Sequence, residues 1–176
     1  LLSQPCSLLG TLKPLAMVKA LGQYLLFRSG PTSVGALEAW IHLNSRPDLE
    51  YPDLQMYSVP LMYTDHGRNI IKEEGFQLVF NGCRPNSMGE IRIQSADPRQ
   101  APMIDPRYLN DPEDLRVLRE GVRAARELIT QTAYDDLRGP EYAPGPGATS
   151  DADVDHYIRQ NAITLYHPVG TCKMGH

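Results

Sequence analysis

The sequence predicts an α+β fold, a mixed and mostly antiparallel sheet with helices packed on one face. Two features of the pattern predict it. Apolar and polar residues alternate over 54–63, 75–84 and 90–95, the period of strands in a sheet. Over 111–131 the apolar residues instead return every three or four positions, as on a helix with one stripe against a core. A chain of 176 residues fits one domain with a sizeable core.

In chain order, Leu15, Val18, Gly22, Leu25 and Leu26 give a helical stripe over 15–27, ended by Ser29-Gly30-Pro31. Residues 34–45 are apolar with some alternation and include a strand. Trp40, the single tryptophan, suits a core or a pocket wall equally. Over 54–63, Leu54, Met56, Ser58 and Met62 share one face, and Gln55, Tyr57, Val59, Leu61 and Tyr63 the other. Large side chains on both faces imply cover on both sides, one by helices and one by a ligand or further protein. Pro60 implies an edge or a bulge. The runs 75–84 and 90–95 flank Pro85-Asn86-Ser87-Met88-Gly89, turn chemistry that predicts a hairpin with Ile91 and Ile93 facing inward.

The helix at 111–131 has Asp111 as N-cap, Pro112 at the first helical position, and Glu113 and Asp114 at the positive end of its dipole. Arg116–Glu120 and Arg123–Glu127 are spaced as i,i+4 ion pairs outside the apolar stripe, which favours a solvated face over an anion site. Residues 135–149 are irregular and rich in Gly and Pro. Ser150, with Asp151 and Asp153, opens a short helix carrying Val154, Tyr157 and Ile158.

The net charge of −4 is mild, and the basic residues are interspersed with acids, so no nucleic-acid or anionic-membrane footprint is expected. No apolar run reaches the length of a membrane span. Three cysteines, Cys6, Cys83 and Cys172, are odd in number and far apart, against a disulfide framework and for a reducing compartment. Leu1 to Cys6 has no initiator Met, basic flank or sustained apolar run, so it is not a signal peptide. A cytoplasmic fragment of a longer protein is the expectation.

The last dozen residues, Leu165-Tyr166-His167-Pro168-Val169-Gly170-Thr171-Cys172-Lys173-Met174-Gly175-His176, hold the candidate chemistry. Histidine titrates near neutral pH and is the usual acid or base in a site. Pro168 biases His167 towards extended backbone, and Gly170 permits a turn. From pattern alone, a structural histidine is the commoner case. Zinc on His167, Cys172 and His176, with His156, has tolerable spacing but no paired Cys knuckle. A Cys172 nucleophile with His167 as base has nothing to lower the thiol pKa, and Asp65-His66-Gly67-Arg68 reads better as a solvated turn than as an acid/base pair.

The run His167 to Gly175 resembles the histidine motif of the glucose-methanol-choline (GMC) flavoprotein oxidoreductases, closest to their choline and alcohol dehydrogenase branch. Arg46-Pro47-Asp48-Leu49 with Tyr51-Pro52-Asp53-Leu54-Gln55, the stretch from Arg84 to Pro98, and Pro102 to Leu109 resemble the family's substrate-binding domain in order and spacing. The resemblance implies a connecting segment at 1–30, a substrate-binding domain at 31–164, and a catalytic-histidine segment at 165–176 that leads back to an FAD-binding domain outside this sequence. It implies that FAD takes a hydride from an alcohol while His167 handles the hydroxyl proton, with Tyr166, Tyr57 and Val59 lining the pocket. No strand-Gly-x-Gly-x-x-Gly-helix occurs, so the ADP-binding half of the FAD site is not expected here, and no metal site is expected. The family's second catalytic residue, an Asn or His, falls beyond His176. A non-catalytic α+β interaction module is the rival reading.

Overall fold

The computed structural model describes residues 1–176 except 34, 36, 38, 171, 172 and 176. Among the described residues, every strand pair is antiparallel. The central sheet has three strands, β1 (Trp40–Leu43), β2 (Leu54–Val59) and β5 (Gln77–Gly82), with β2 in the middle. Two short ribbons flank it: β3 (Tyr63–Thr64) with β4 (Asn69–Ile70), and β6 (Glu90–Arg92) with β7 (Met103–Asp105). The helices are α1 (Pro14–Phe27), α2 (Pro112–Ile129) and α3 (Asp151–Asn161).

Both C-terminal helices start where the sequence says. The Asp111 carboxylate accepts from the Glu113 N–H at 2.8 Å, with Pro112 at the first helical position. Ser150 and Asp153 close a capping box at the start of α3. Leu115 and Val122 of α2 meet Val154 and Ile158 of α3, with Phe80, Leu109 and Leu118 against them. Each such side chain, fully buried, contributes about 1.5–3 kcal/mol. Gly121 lets Phe80 lie on α2, because a Cβ there would sit 2.5 Å from the ring.

The ion pairs on α2 differ from the expected i,i+4 set. Arg116 bonds Glu113 and the Ser45 hydroxyl, and Arg123 pairs with Glu120 and Asp151. Arg119 clamps α3 through Asp155 at 2.7 and 2.9 Å. The local pairs form at i,i+3 instead, and α3 and the β1–β2 loop add carboxylates and a hydroxyl to this face. In that loop, Ser45 donates through its N–H and hydroxyl to Asp53 at 2.7 and 2.6 Å. Burial pushes the Asp53 carboxyl up, but the Ser45 bonds and Arg116 outweigh it and hold the group below its ordinary range.

The expected hairpin of 75–84 with 90–95 does not form. β5 pairs with β2, whereas β6 pairs with β7, Ile91 facing Ile104. Asp114 explains the change. Its carboxylate accepts the N–H groups of Asn86 and Ser87 at 2.7 and 2.9 Å, and Ser87 accepts the Asp111 N–H at 3.0 Å. These bonds hold the 85–89 segment against the start of α2 and carry the chain off the sheet. Ile91 and Ile93 are consequently exposed, Ile93 at 88 %. Strand β2 also stops at Val59, before Pro60, rather than running to Tyr63. In the 34–45 stretch the described strand is Trp40–Leu43.

Gly89 passes under the second ribbon, where an added Cβ would lie 2.2 Å from the Asp105 carbonyl oxygen and 2.5 Å from Pro106 Cα. Both obstacles are backbone and cannot swing aside. Gly89→Ala is expected to destabilise the protein by about 1–3 kcal/mol, read as a lowered Tm. An unchanged Tm would contradict the close approach.

Helix α1 is capped by Arg28 in the left-handed region, whose N–H bonds the Tyr24 carbonyl at 2.9 Å. Only Ala20 of this helix is buried, while Leu15, Val18, Leu25, Leu26 and Phe27 are exposed.

Candidate functional site

The register of the sheet divides its residues between two faces. Leu54, Met56 and Phe80 lie on the face towards α2, and Leu54 and Met56 are each 1 % exposed. On the other face, Trp40 stands opposite Tyr57, His42 opposite Gln55, and Gln55 opposite Asn81. Gln55 Nε2 lies 3.2 Å from His42 Nε2, and Trp40 is well exposed. Burial and then the neighbouring Tyr63 push the Tyr57 phenol above its ordinary range, so it stays a hydrogen-bond donor at neutral pH. Asn81 Oδ1 is buried and has no hydrogen-bond partner among the described residues.

Val59 departs from the expected pocket wall. It is 4 % exposed and presents no open surface. Leu8 N–H donates to the Pro60 carbonyl at 2.7 Å, bringing the turn Leu8–Leu12 to this end of the sheet. Tyr57 is half-buried, and Tyr166 and His167 are exposed.

After α3 the chain leaves helical geometry. Ala162 is extended, and Tyr166 and Gly170 take positive φ of 63° and 96°. His167 thus sits between two left-handed residues, on non-helical backbone next to Pro168. The Tyr166 hydroxyl is hydrogen-bonded to Nδ1 of His66, and the two ring centroids are 5.3 Å apart. His66 occupies the turn Asp65–Gly67 between β3 and β4. That ribbon is tied to the sheet in turn, since the Tyr63 N–H donates to Gln77 Oε1 at 3.0 Å. Gln77 stands opposite Val59, on the side of the sheet that carries Tyr57. The Tyr166 ring therefore lies against the turn at this end of the open face.

His66 lies exposed in a turn, as the sequence suggested, but its contact with Tyr166 was not foreseen, nor was the grouping of Trp40, His42 and Asn81 with Tyr57. The alternation around Gln55 and Tyr57 carried half of that signal, and strand pairing supplied the rest. Two surface hollows lie elsewhere, one lined by Tyr157 and His156 and one by Ala20 and Gln23. Neither includes Tyr57, Tyr166 or His167.

Among the described residues no group of three His, Cys, Asp or Glu side chains could hold a metal ion. Cys172 and His176, which the zinc and thiol readings need, lie outside the described residues. Among the described residues, no strand and turn are arranged to cradle the dinucleotide half of an FAD. The described strands are all antiparallel, and Gly145-Pro146-Gly147 follows no strand, so the parallel strand–turn–helix that cradles a pyrophosphate is not among them. No described helix is long and apolar enough to cross a membrane.

A family model described as GMC oxidoreductase matches residues 85–176. The oxygen-dependent choline dehydrogenase 1 of Chromohalobacter salexigens is 36% identical over 172 residues, covering 98% of this chain and 31% of that protein. The mitochondrial choline dehydrogenase of Mus musculus is 36% identical over 173 residues, covering 98% of this chain and 29% of that protein. A formate oxidase of Aspergillus oryzae, whose structure addresses FAD modification, superposes with a TM-score of 0.82 at 23% identity, over 97% of this chain and 34% of that one. At that identity the likeness shows the fold. The chain spans about a third of the length of these proteins.

Proposed function

The chain belongs to the GMC oxidoreductase family, and on that premise we propose that it is the substrate-binding part of an FAD-dependent enzyme that oxidises an alcohol to an aldehyde or ketone. Residues 31–164 form the substrate-binding domain, 1–30 connect it to the rest of the polypeptide, and 165–176 present the base. The remainder of the polypeptide holds the FAD and covers the apolar side of α1. When bound, the FAD supplies the acceptor for the carbinol hydride. His167 accepts the hydroxyl proton, a task suited to an imidazole because its ordinary pKa lies near neutral pH. Tyr57 and Tyr166 line the alcohol's pocket, with Tyr57 as a donor that stays protonated.

The observation that supports this reading best is the exposed ring of His167 on a non-helical segment, next to Tyr166, whose ring lies against the turn at the end of the open face. Choline is the first alcohol to try, since the relatives are choline dehydrogenases. The full-length protein is expected to purify with a flavin absorbance spectrum and to oxidise choline, benzyl alcohol or a short aliphatic alcohol with a dye acceptor or oxygen. Flavin-free protein without alcohol oxidation would overturn the proposal.

A further inference from the structure

We propose that His66 is a positioning residue for this site, acting on His167 through Tyr166. The inference rests on the role given to His167 above. His66 is 100 positions from Tyr166 in sequence, yet its Nδ1 is hydrogen-bonded to the Tyr166 hydroxyl. With the lone pair on Nδ1, the tyrosine donates, and the proton of the neutral ring sits on Nε2.

The backbone on both sides of this bond is held in an uncommon shape. Asp65, His66 and Gly67 are all left-handed, with φ of 46°, 57° and 86°, and Tyr166 has φ of 63°. Non-glycine residues keep such angles where their surroundings hold them there. Around the turn, Asp65 pairs with Arg68 at 3.4 Å, the Ile71 N–H bonds the Met62 carbonyl at 3.0 Å, and Gln77 secures Tyr63. These contacts join the turn that carries His66 to the end of the sheet.

Tyr166 is held at two points. Its N–H donates to the Thr164 hydroxyl at 3.0 Å, and its own hydroxyl is bound to His66. A side chain secured at its far end and a backbone secured at its near end leave the Tyr166 peptide little freedom to rotate. His167 is the next residue, and Pro168 restricts its backbone from the other side. That peptide sets where the His167 Cα, and with it the root of the imidazole, is placed. Loss of the His66–Tyr166 bond frees the segment to swing, and a base displaced by about 1 Å can cost up to about 100-fold in rate.

The experiment is a double-mutant cycle in the full-length holoenzyme, with choline and a dye acceptor and with bound flavin measured by absorbance. Tyr166→Phe and His66→Ala are each expected to lower kcat about tenfold while KM for choline stays within about twofold. The double variant is expected to lose about tenfold as well, because both changes remove the same bond. His66→Asn should keep near wild-type kcat, since its amide occupies the place of Nδ1 and asparagine tolerates left-handed backbone. Wild-type kcat in Tyr166→Phe, multiplicative losses in the double variant, or no rescue by asparagine would each overturn the inference. His167→Ala separates the two claims. Its full turnover would overturn the proton-accepting role and this inference together, whereas its collapse beside a multiplicative cycle would overturn the positioning role alone.

Discussion

Replacing His167 by alanine in the full-length enzyme is expected to lower turnover of the alcohol by about 10²–10⁴-fold while the flavin stays bound. The magnitude is that of removing a positioned general base from a reaction that still has its hydride acceptor and most of its binding contacts. His167 is exposed and follows Tyr166 directly, and no hydrogen bond within the chain is found for its ring among the described residues, so its loss leaves no buried partner unsatisfied. Folding and flavin content should therefore be preserved. A variant that lost its flavin would instead place the residue in the cofactor site. The measurement is kcat for choline alongside the flavin-to-protein absorbance ratio.

The second large effect is on stability. Leu54 is 1 % exposed, on the middle strand and on the face towards α2. Leu54→Ala is expected to cost about 2–5 kcal/mol in urea unfolding of residues 1–176, the transfer of the lost methyl groups plus a cavity that neighbouring strands cannot close. Leu26→Ala on α1, where Leu26 is 76 % exposed, should change the stability of the same chain by less than about 0.5 kcal/mol. Equal losses in both would show that α1 has packing of its own and needs no cover from the rest of the polypeptide.

The contrast between those two leucines also explains what could be read from the sequence. Local signals held where local chemistry decides. Asp111 and Pro112 start α2, and Ser150 and Asp153 start α3. The α+β class and the antiparallel pairing follow from the same periodicities. Signals failed where distant groups decide. Asp114 captures the N–H groups of Asn86 and Ser87 from 28 and 27 positions away, and nothing in the run of turn residues announces it. The apparent hairpin was a sound local pattern overruled by a helix N-terminus with carboxylates to spare.

The site divides in the same way. Nine consecutive residues from His167 carried the family, and Tyr57 could be placed on one side of its strand by alternation. Which side is open depends on where α2 packs, and Val59, although on the same side of its strand as Tyr57, is buried beside Pro60, whose carbonyl accepts the Leu8 N–H. His66 was beyond reach, because its partner lies 100 residues away. Its dihedral angle, rather than its sequence context, sets it apart from an ordinary turn residue.

The rate of flavin reduction by an alcohol, followed anaerobically in a single turnover of the full-length protein, isolates the step assigned to this chain. With His167→Ala the flavin should be present at full stoichiometry and be reduced at least about 100-fold more slowly than in wild type. Reduction at the wild-type rate would contradict the claim that this imidazole takes the proton.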